Sequence, residues 1–213
     1  MAAAKRAQKK PEPDTPTRLL EAALDLAALQ GWRQTTMVEI AAEAGVTLAE
    51  ARGAFASKEA LLAAFFARID QTMLEGLERS DGDEPIRDRL FDVVMCRFDA
   101  MAPYKAGIRA VVRDLVREPL MLACFAAGPI RRSLEWMLAG AGVDPWGPLQ
   151  PLQLKGLGLV YLATLRAWFR DDSADLAQTM AALDKGLARV EAVLGMLPGA
   201  GSRPTDTAAE SED

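Results

Sequence analysis

The 213-residue sequence contains no histidine. That absence removes Ser-His-Asp and Cys-His catalysis and every zinc site that needs an imidazole. Cysteine is nearly missing too. Cys96 and Cys124 are too few and too far apart for CxxC chemistry, and each lies in an apolar helical run. They read as buried packing residues in a reducing cytoplasm rather than as a disulfide or a nucleophile. Strand formers are sparse and do not alternate, while alanine and leucine dominate, so the composition reads as all-α. No apolar run approaches the length needed to span a bilayer, and the N-terminal MAAAKRAQKK has no apolar signal core. A soluble, cytoplasmic protein is expected. No carboxylate pair, phosphate-cradling glycine loop or nucleophile motif occurs, so no enzyme, cofactor or metal is expected. Positive charge is in deficit as well: 25 Lys and Arg stand against 30 Asp and Glu, a net of −5. The molecule as a whole does not attract nucleic acid, and local charge must decide.

What the chain does have is a run of helix-start signals from Gln34 to Leu62, QTTMVEIAAEAGVTLAEARGAFASKEALL. Thr36 is followed three residues later by Glu39, and Thr47 by Glu50. Each pair is a capping box ahead of an apolar face. Gly45 lies where the first short helix must stop, because glycine enters a left-handed turn without a Cβ clash. Ser57 caps a third, longer helix that opens with Lys58. Two short helices joined by a glycine turn describe a helix-turn-helix. Ile40, Ala41, Ala44, Val46, Ala51 and Phe55 should face inward, leaving Leu48, Ala49 and Arg52 outward.

The segment from Arg18 to Leu62 resembles the N-terminal domain of the TetR-type regulators. The likeness rests on Gly31-Trp32 at the end of an amphipathic first helix and on the cap Thr36. It extends through the run Ile40-Ala41-Ala42-Glu43-Ala44-Gly45-Val46, Phe55, and Ser57-Lys58-Glu59 leading to Leu61-Leu62. The resemblance implies a DNA-binding head in which Thr36, Thr47 and Lys58 meet the phosphate backbone. Leu48, Ala49 and Arg52 would then face bases in the major groove. This chain departs from the family's usual pattern in the recognition helix. Arg52 stands where a tyrosine is expected, and Gly53 and Ala54 replace larger side chains. From Met37 to Phe66, four acids (Glu39, Glu43, Glu50, Glu59) against two bases (Arg52, Lys58) leave a net of −2. That sign opposes binding to phosphates.

Around this head the chain divides by its punctuation. Residues 1–15 form a polar arm carrying Lys5, Arg6, Lys9 and Lys10, read either as a solvated tail or as a phosphate-contacting arm. The head spans 16–62, and its last helix continues as a connector to about residue 79. Ser80-Asp81-Gly82-Asp83 breaks the pattern. A helical body follows over 85–197, with ends or kinks at Pro103, Pro119 and Gly128-Pro129. Gly and Pro from Ala139 to Pro151 mark a loop that carries Trp146. The tail, 198–213, is polar and acidic.

The body carries two further signals. Met95, Phe98, Met101, Tyr104, Met121, Phe125, Trp136 and Met137 are either ordinary core or the walls of an adaptable apolar cavity. The resemblance implies an effector pocket there for a small apolar or amphipathic molecule. Leu176, Met180, Leu183, Leu187, Val190 and Leu194 step by 4, 3, 4, 3 and 4, a heptad seam. The preceding helix presents Leu157, Tyr161, Leu165 and Trp168, with Gly156 and Gly158 allowing close approach. Both seams could close within one monomer. The resemblance favours a four-helix interface between two copies, a homodimer.

The C-terminal half also resembles the TetR-fold lipid-binding family that assists coenzyme Q synthesis. That likeness rests on Ile86 to Leu90, Pro103, Val160 to Ser173, Thr179 and Leu183-Asp184. The expected function is a homodimeric regulator, a repressor, released from a pseudo-palindromic double-stranded operator by a small effector. The alternative is a lipid or isoprenoid binder that has lost DNA binding.

Overall fold

The computed structural model describes residues 13–77, 84–144 and 149–195. The basic arm, the Ser80–Asp83 break, Trp146 and the acidic tail lie outside the described residues. So does the side chain of Leu194. Among the described residues the chain is helical, with no strand. The helices are α1 (Thr15–Gln30), α2 (Met37–Glu43), α3 (Leu48–Ala54), α4 (Lys58–Gly76) and α5 (Ile86–Met101). After a tight 3₁₀ turn (Ala102–Tyr104) come α6 (Lys105–Leu115), α7 (Pro119–Phe125), α8 (Arg131–Gly140), α9 (Gln150–Trp168) and α10 (Ala177–Gly195).

Packing groups the chain into two compact units. The first takes the residues up to Thr72 together with Asp99–Ser133; the second takes Met73–Phe98 with the residues from Leu134 onward. The head therefore shares its unit with α6 and α7. The cause lies in α1 and α6: Gly107 of α6 sits so close to α1 that a Cβ there would come 2.6 Å from the Leu24 carbonyl oxygen. Leu19, Leu20, Leu24 and Ala27 of α1, Ile40 of α2, Ala51 of α3, Leu61, Leu62 and Phe65 of α4 and Ile108 and Val111 of α6 are buried in this unit.

Several expectations need correction. Gly128-Pro129 marks an irregularity between α7 and α8, as expected, and not a full break. It lies in a wider π-type turn (Ala126–Ile130) that runs α7 into α8, and such a turn absorbs the N–H that proline lacks. Pro119 does open a helix, at its first turn. Cys124, expected in the core, is exposed, and Cys96 is half-buried. Val46 and Phe55, expected inward, are only half-buried.

The second unit shows why the heptad seam exists. Leu183 and Leu187 of α10 are buried, as are Leu157, Val160, Thr164 and Trp168 of α9. Two glycines bring these helices together. A Cβ on Gly156 would meet Val190 Cγ1 at 3.2 Å, and one on Gly186 would meet Val160 Cγ1 at 2.8 Å. Gly158 instead faces Leu134 of α8, at an ordinary 3.5 Å. The turn into α10 is fixed by Asp171, a buried carboxylate. One of its oxygens accepts from the Thr179 N–H and hydroxyl, each at 2.8 Å; the other accepts from the Ser173 N–H at 3.2 Å and from the Ser173 hydroxyl. The Ser173 hydroxyl foremost, then Thr179, holds this carboxyl well below the usual carboxylate range against the opposing effect of burial.

Candidate nucleic-acid interface

The head is built from its caps. Asp14 caps α1, accepting from the Thr17 N–H at 3.1 Å. Both capping boxes form. The Glu39 N–H donates to Thr36 Oγ1, while Glu39 Oε2 accepts from the Thr36 N–H and hydroxyl, each at 2.8 Å. Thr47 and Glu50 repeat this geometry at the start of α3. These bonds lower the pKa of both carboxyls, chiefly through the Thr36 hydroxyl for Glu39 and the Thr47 N–H for Glu50. Gly45 makes the turn between α2 and α3 at φ +63°. Ser57 caps α4, its hydroxyl oxygen accepting from the Ala60 N–H at 3.2 Å.

Lys58 has a specific place. Its ammonium donates to the Trp32 carbonyl at 2.8 Å and to the Thr35 carbonyl at 2.9 Å, and lies 4.7 Å above the Trp32 ring. It ties the start of α4 to the α1–α2 turn, and the burial this entails lowers its pKa. Lys58 is thus turned toward two carbonyl oxygens. The hydroxyls of Thr36 and Thr47 are likewise spent on Glu39 and Glu50.

The outer face of α3 is open. Leu48 is 50% exposed, and Ala49 and Arg52 are exposed beside it. The Glu50 carboxylate beside Arg52 in sequence is turned back to Thr47. Arg18 of α1 acts on Glu50 from a distance, its charge adding to the lowering of that carboxyl's pKa.

Residues 19–65 match the family model of the bacterial regulatory proteins of the tetR family. These residues carry a tetR-type regulatory domain. Solved structures extend the likeness over the whole fold. A TetR transcriptional regulator from Nitrosomonas europaea is 26% identical with a TM-score of 0.66, covering 83% of this chain and 97% of that one. A TetR regulator from Rhodococcus sp. RHA1 is 21% identical with a TM-score of 0.59, over 83% and 94%. The fatty acid degradation regulator of Bacillus halodurans is 16% identical with a TM-score of 0.55, over 84% and 96%. No curated protein sequence matches.

The eight expected effector contacts are divided between the two units. Met101, Tyr104, Met121 and Phe125 belong to the first unit, and Met95, Phe98, Trp136 and Met137 to the second. Phe98, Met101, Phe125 and Met137 are core residues. The Tyr104 ring meets Phe65 edge-on at 5.3 Å, Phe125 meets Phe66 at 6.5 Å, and Phe98 stacks on Tyr161 at 5.5 Å. Trp136 is 47% exposed. Met121 borders a hollow of about 260 Å³ whose other walls are largely charged: Arg33, Lys58, Glu59, Asp114 and Glu118.

The expected pairing residues differ in their exposure within the protomer. Leu157, Trp168, Leu183 and Leu187 are buried inside the protomer, and Tyr161, Leu165, Leu176, Met180 and Val190 are half-buried. Of these, Val190 of α10 lies against Gly156 of α9. Tyr161 also accepts a hydrogen bond from Arg97 Nε at 3.1 Å. What faces outward on α9 is a different set: Leu159 is 71% exposed and Leu162 53%, with Leu152 beside them. A groove of about 400 Å³ runs there over Gly156 and Gly186, floored by Val160 and flanked by Lys155 and Arg189. The residues behind the likeness to the lipid-binding family include structural ties: Asp171, Ser173 and Thr179 fix the start of α10, and Asp184 pairs with Arg87.

Proposed function

We propose that this chain is a TetR-type repressor that binds a pseudo-palindromic operator as a homodimer and is released by a small apolar or amphipathic effector. The observation that carries this reading is the open α3 face, Leu48, Ala49 and Arg52, on a head whose caps are complete. Apolar side chains suit a thymine methyl, and Arg52 suits the O6/N7 edge of guanine. The acid surplus counted over this stretch is less adverse than its number suggests. Glu39 and Glu50 are held at helix N-termini, where the helix dipole favours negative charge.

The second copy would seat on the outer face of α9. The support for this is a set of exposed leucines beside an apolar groove over Gly156 and Gly186, where a leucine of a second copy would be received. Two recognition helices would then lie about 34–36 Å apart on one face of the duplex. Effector binding would favour a dimer geometry that no longer fits that spacing. An apolar effector accords with the fatty acid degradation regulator that shares the fold. Action on DNA would place the protein in the cytoplasm, and binding rather than catalysis would be its mode.

Selection of genomic fragments by the purified full chain tests this. Enrichment of one pseudo-palindrome supports it. No enrichment, with isoprenoid or phospholipid co-purifying, would transfer the function to lipid binding.

A further inference from the structure

The helices α9 and α10 carry more positive than negative charge. α9 holds Lys155 and Arg166 and no acid. α10 holds Lys185 and Arg189 against Asp184 and Glu191, and both of those acids pair with Arg87 of α5. In a chain whose net charge is −5, these two helices set four cations against two acids, and the acids are drawn toward Arg87.

Two of the cations, Lys155 and Arg189, line the apolar groove over Gly156 and Gly186. Their position follows from the register of the helices. Gly156 lies against Val190 and Gly186 against Val160, so α9 and α10 run antiparallel with residues 156 and 190 side by side. Lys155 and Arg189, each one residue before a member of that crossing, therefore share one end of the groove. Val160, Ala163 and Gly186 form the other end, and the helix from Gly156 to Ala163 spans about 10 Å. Among the described residues that line the groove, none is an acid. The groove is thus positive at one end and apolar at the other, and its volume of about 400 Å³ is that of a small-molecule site.

Pairing of two copies over this groove accounts for its apolar residues and not for its cations. A two-fold axis would bring Lys155 and Arg189 onto a face carrying the same two cations, and like charges oppose such contact. The cations call for an anion and the apolar end for a hydrocarbon, and a single-chain carboxylate supplies both. Arg189 offers a planar fork that suits a carboxylate, and Lys155 a point charge beside it.

We propose that this groove binds a free fatty acid, its carboxylate held by Lys155 and Arg189 and its chain laid along Val160 toward Ala163, and that the bound chain displaces the second copy. The displacement rests on the reading of this face as the pairing surface; the site stands without it. The chain fills the space that a leucine of the second copy would enter, so ligand and pairing exclude one another. Binding would then free single heads, which hold a two-half-site operator more weakly than a pair does.

Two readouts separate the site from the displacement, both on the full-length chain with decanoate below its micelle concentration as the probe. The first is calorimetric titration. Decanol, which keeps the hydrocarbon and loses the charge, should bind about tenfold more weakly than decanoate. Lys155→Gln and Arg189→Gln change exposed side chains, so circular dichroism should report an intact fold. Each should weaken decanoate about tenfold and leave decanol unchanged. Ala163→Trp, at the exposed apolar end, should block both ligands. Absence of binding, or equal affinity of the native chain and the glutamine variants for decanoate, overturns the site. The second readout is sedimentation velocity. Decanoate should shift the native dimer toward monomer, and Arg189→Gln should need about tenfold more. A dimer unmoved by saturating decanoate overturns the displacement. A chain that is monomeric without ligand refutes the pairing reading and the displacement together, while the titration still decides the site.

Discussion

The Cβ that Gly186 lacks would stand 2.8 Å from Val160 Cγ1, so α10 lies against α9 at a distance only glycine permits. Alanine there would gain about 1 kcal/mol of helix propensity. It would also force apart two packed helices through a stiff β-branched side chain, at about 1–3 kcal/mol. Gly186→Ala should therefore lower the urea midpoint. A rise in that midpoint would show the contact to be looser than described.

The outer face of α9 makes a separate prediction. Leu159→Asp places a charge on a residue that is 71% exposed in the protomer, so the fold should survive while the dimer dissociates. Leu187→Ala empties part of the α9–α10 core and should cost about 2–5 kcal/mol. Sedimentation velocity with denaturant unfolding separates the two. A dimeric Leu159→Asp chain would exclude this face from pairing.

Acid should weaken the head through its capping boxes. Glu39 and Glu50 have folded pKa values below their ordinary 4.5. A depressed carboxyl gives stability that is full above its unfolded pKa and is lost as pH falls through the folded one. The loss should therefore begin as pH drops below about 4.5. Thr47→Ala removes the α3 cap, costs about 1 kcal/mol at neutral pH, and should make the head less sensitive to acid. Chemical denaturation followed by Trp32 fluorescence, with the other tryptophans replaced by phenylalanine, measures both.

Asp171 carries the same sign further down. Its carboxyl is held well below 3.8, so its contribution is complete at neutral pH and fades only in strong acid. Asp171→Asn should lower the melting temperature at pH 7, and more than Thr179→Ser, which keeps both hydrogen-bond donors. Equal melting temperatures for the two variants would deny Asp171 that role.

The head was legible in the sequence because its signals are local. Thr36 with Glu39, Thr47 with Glu50 and Gly45 between them are fixed by spacings of a few residues, and the structure forms each. The heptad seam was equally legible, but its partner was not. A 4-3 repeat states that a helix has a packed face and says nothing of whose helix covers it; Gly186, which lets Val160 close that face within the chain, lay inside the seam unremarked. Lys58 matched a familiar position, yet the carbonyls it serves sit 23 and 26 residues away. The buried Asp114, which accepts from the Arg33 N–H, was invisible for the same reason, since that amide is 81 residues distant. Trp136 and Cys124 show the limit of composition: apolar neighbours in sequence did not bury either one.

The central claim, that paired heads grip a duplex, is tested most directly by the salt dependence of binding to the enriched fragment. A dimer that neutralises about six phosphates should give a log–log slope near −5 between 50 and 200 mM salt, and Arg52→Ala should relax base preference at one position per half-site. A flat response, with no fragment held more tightly than random duplex, would contradict it.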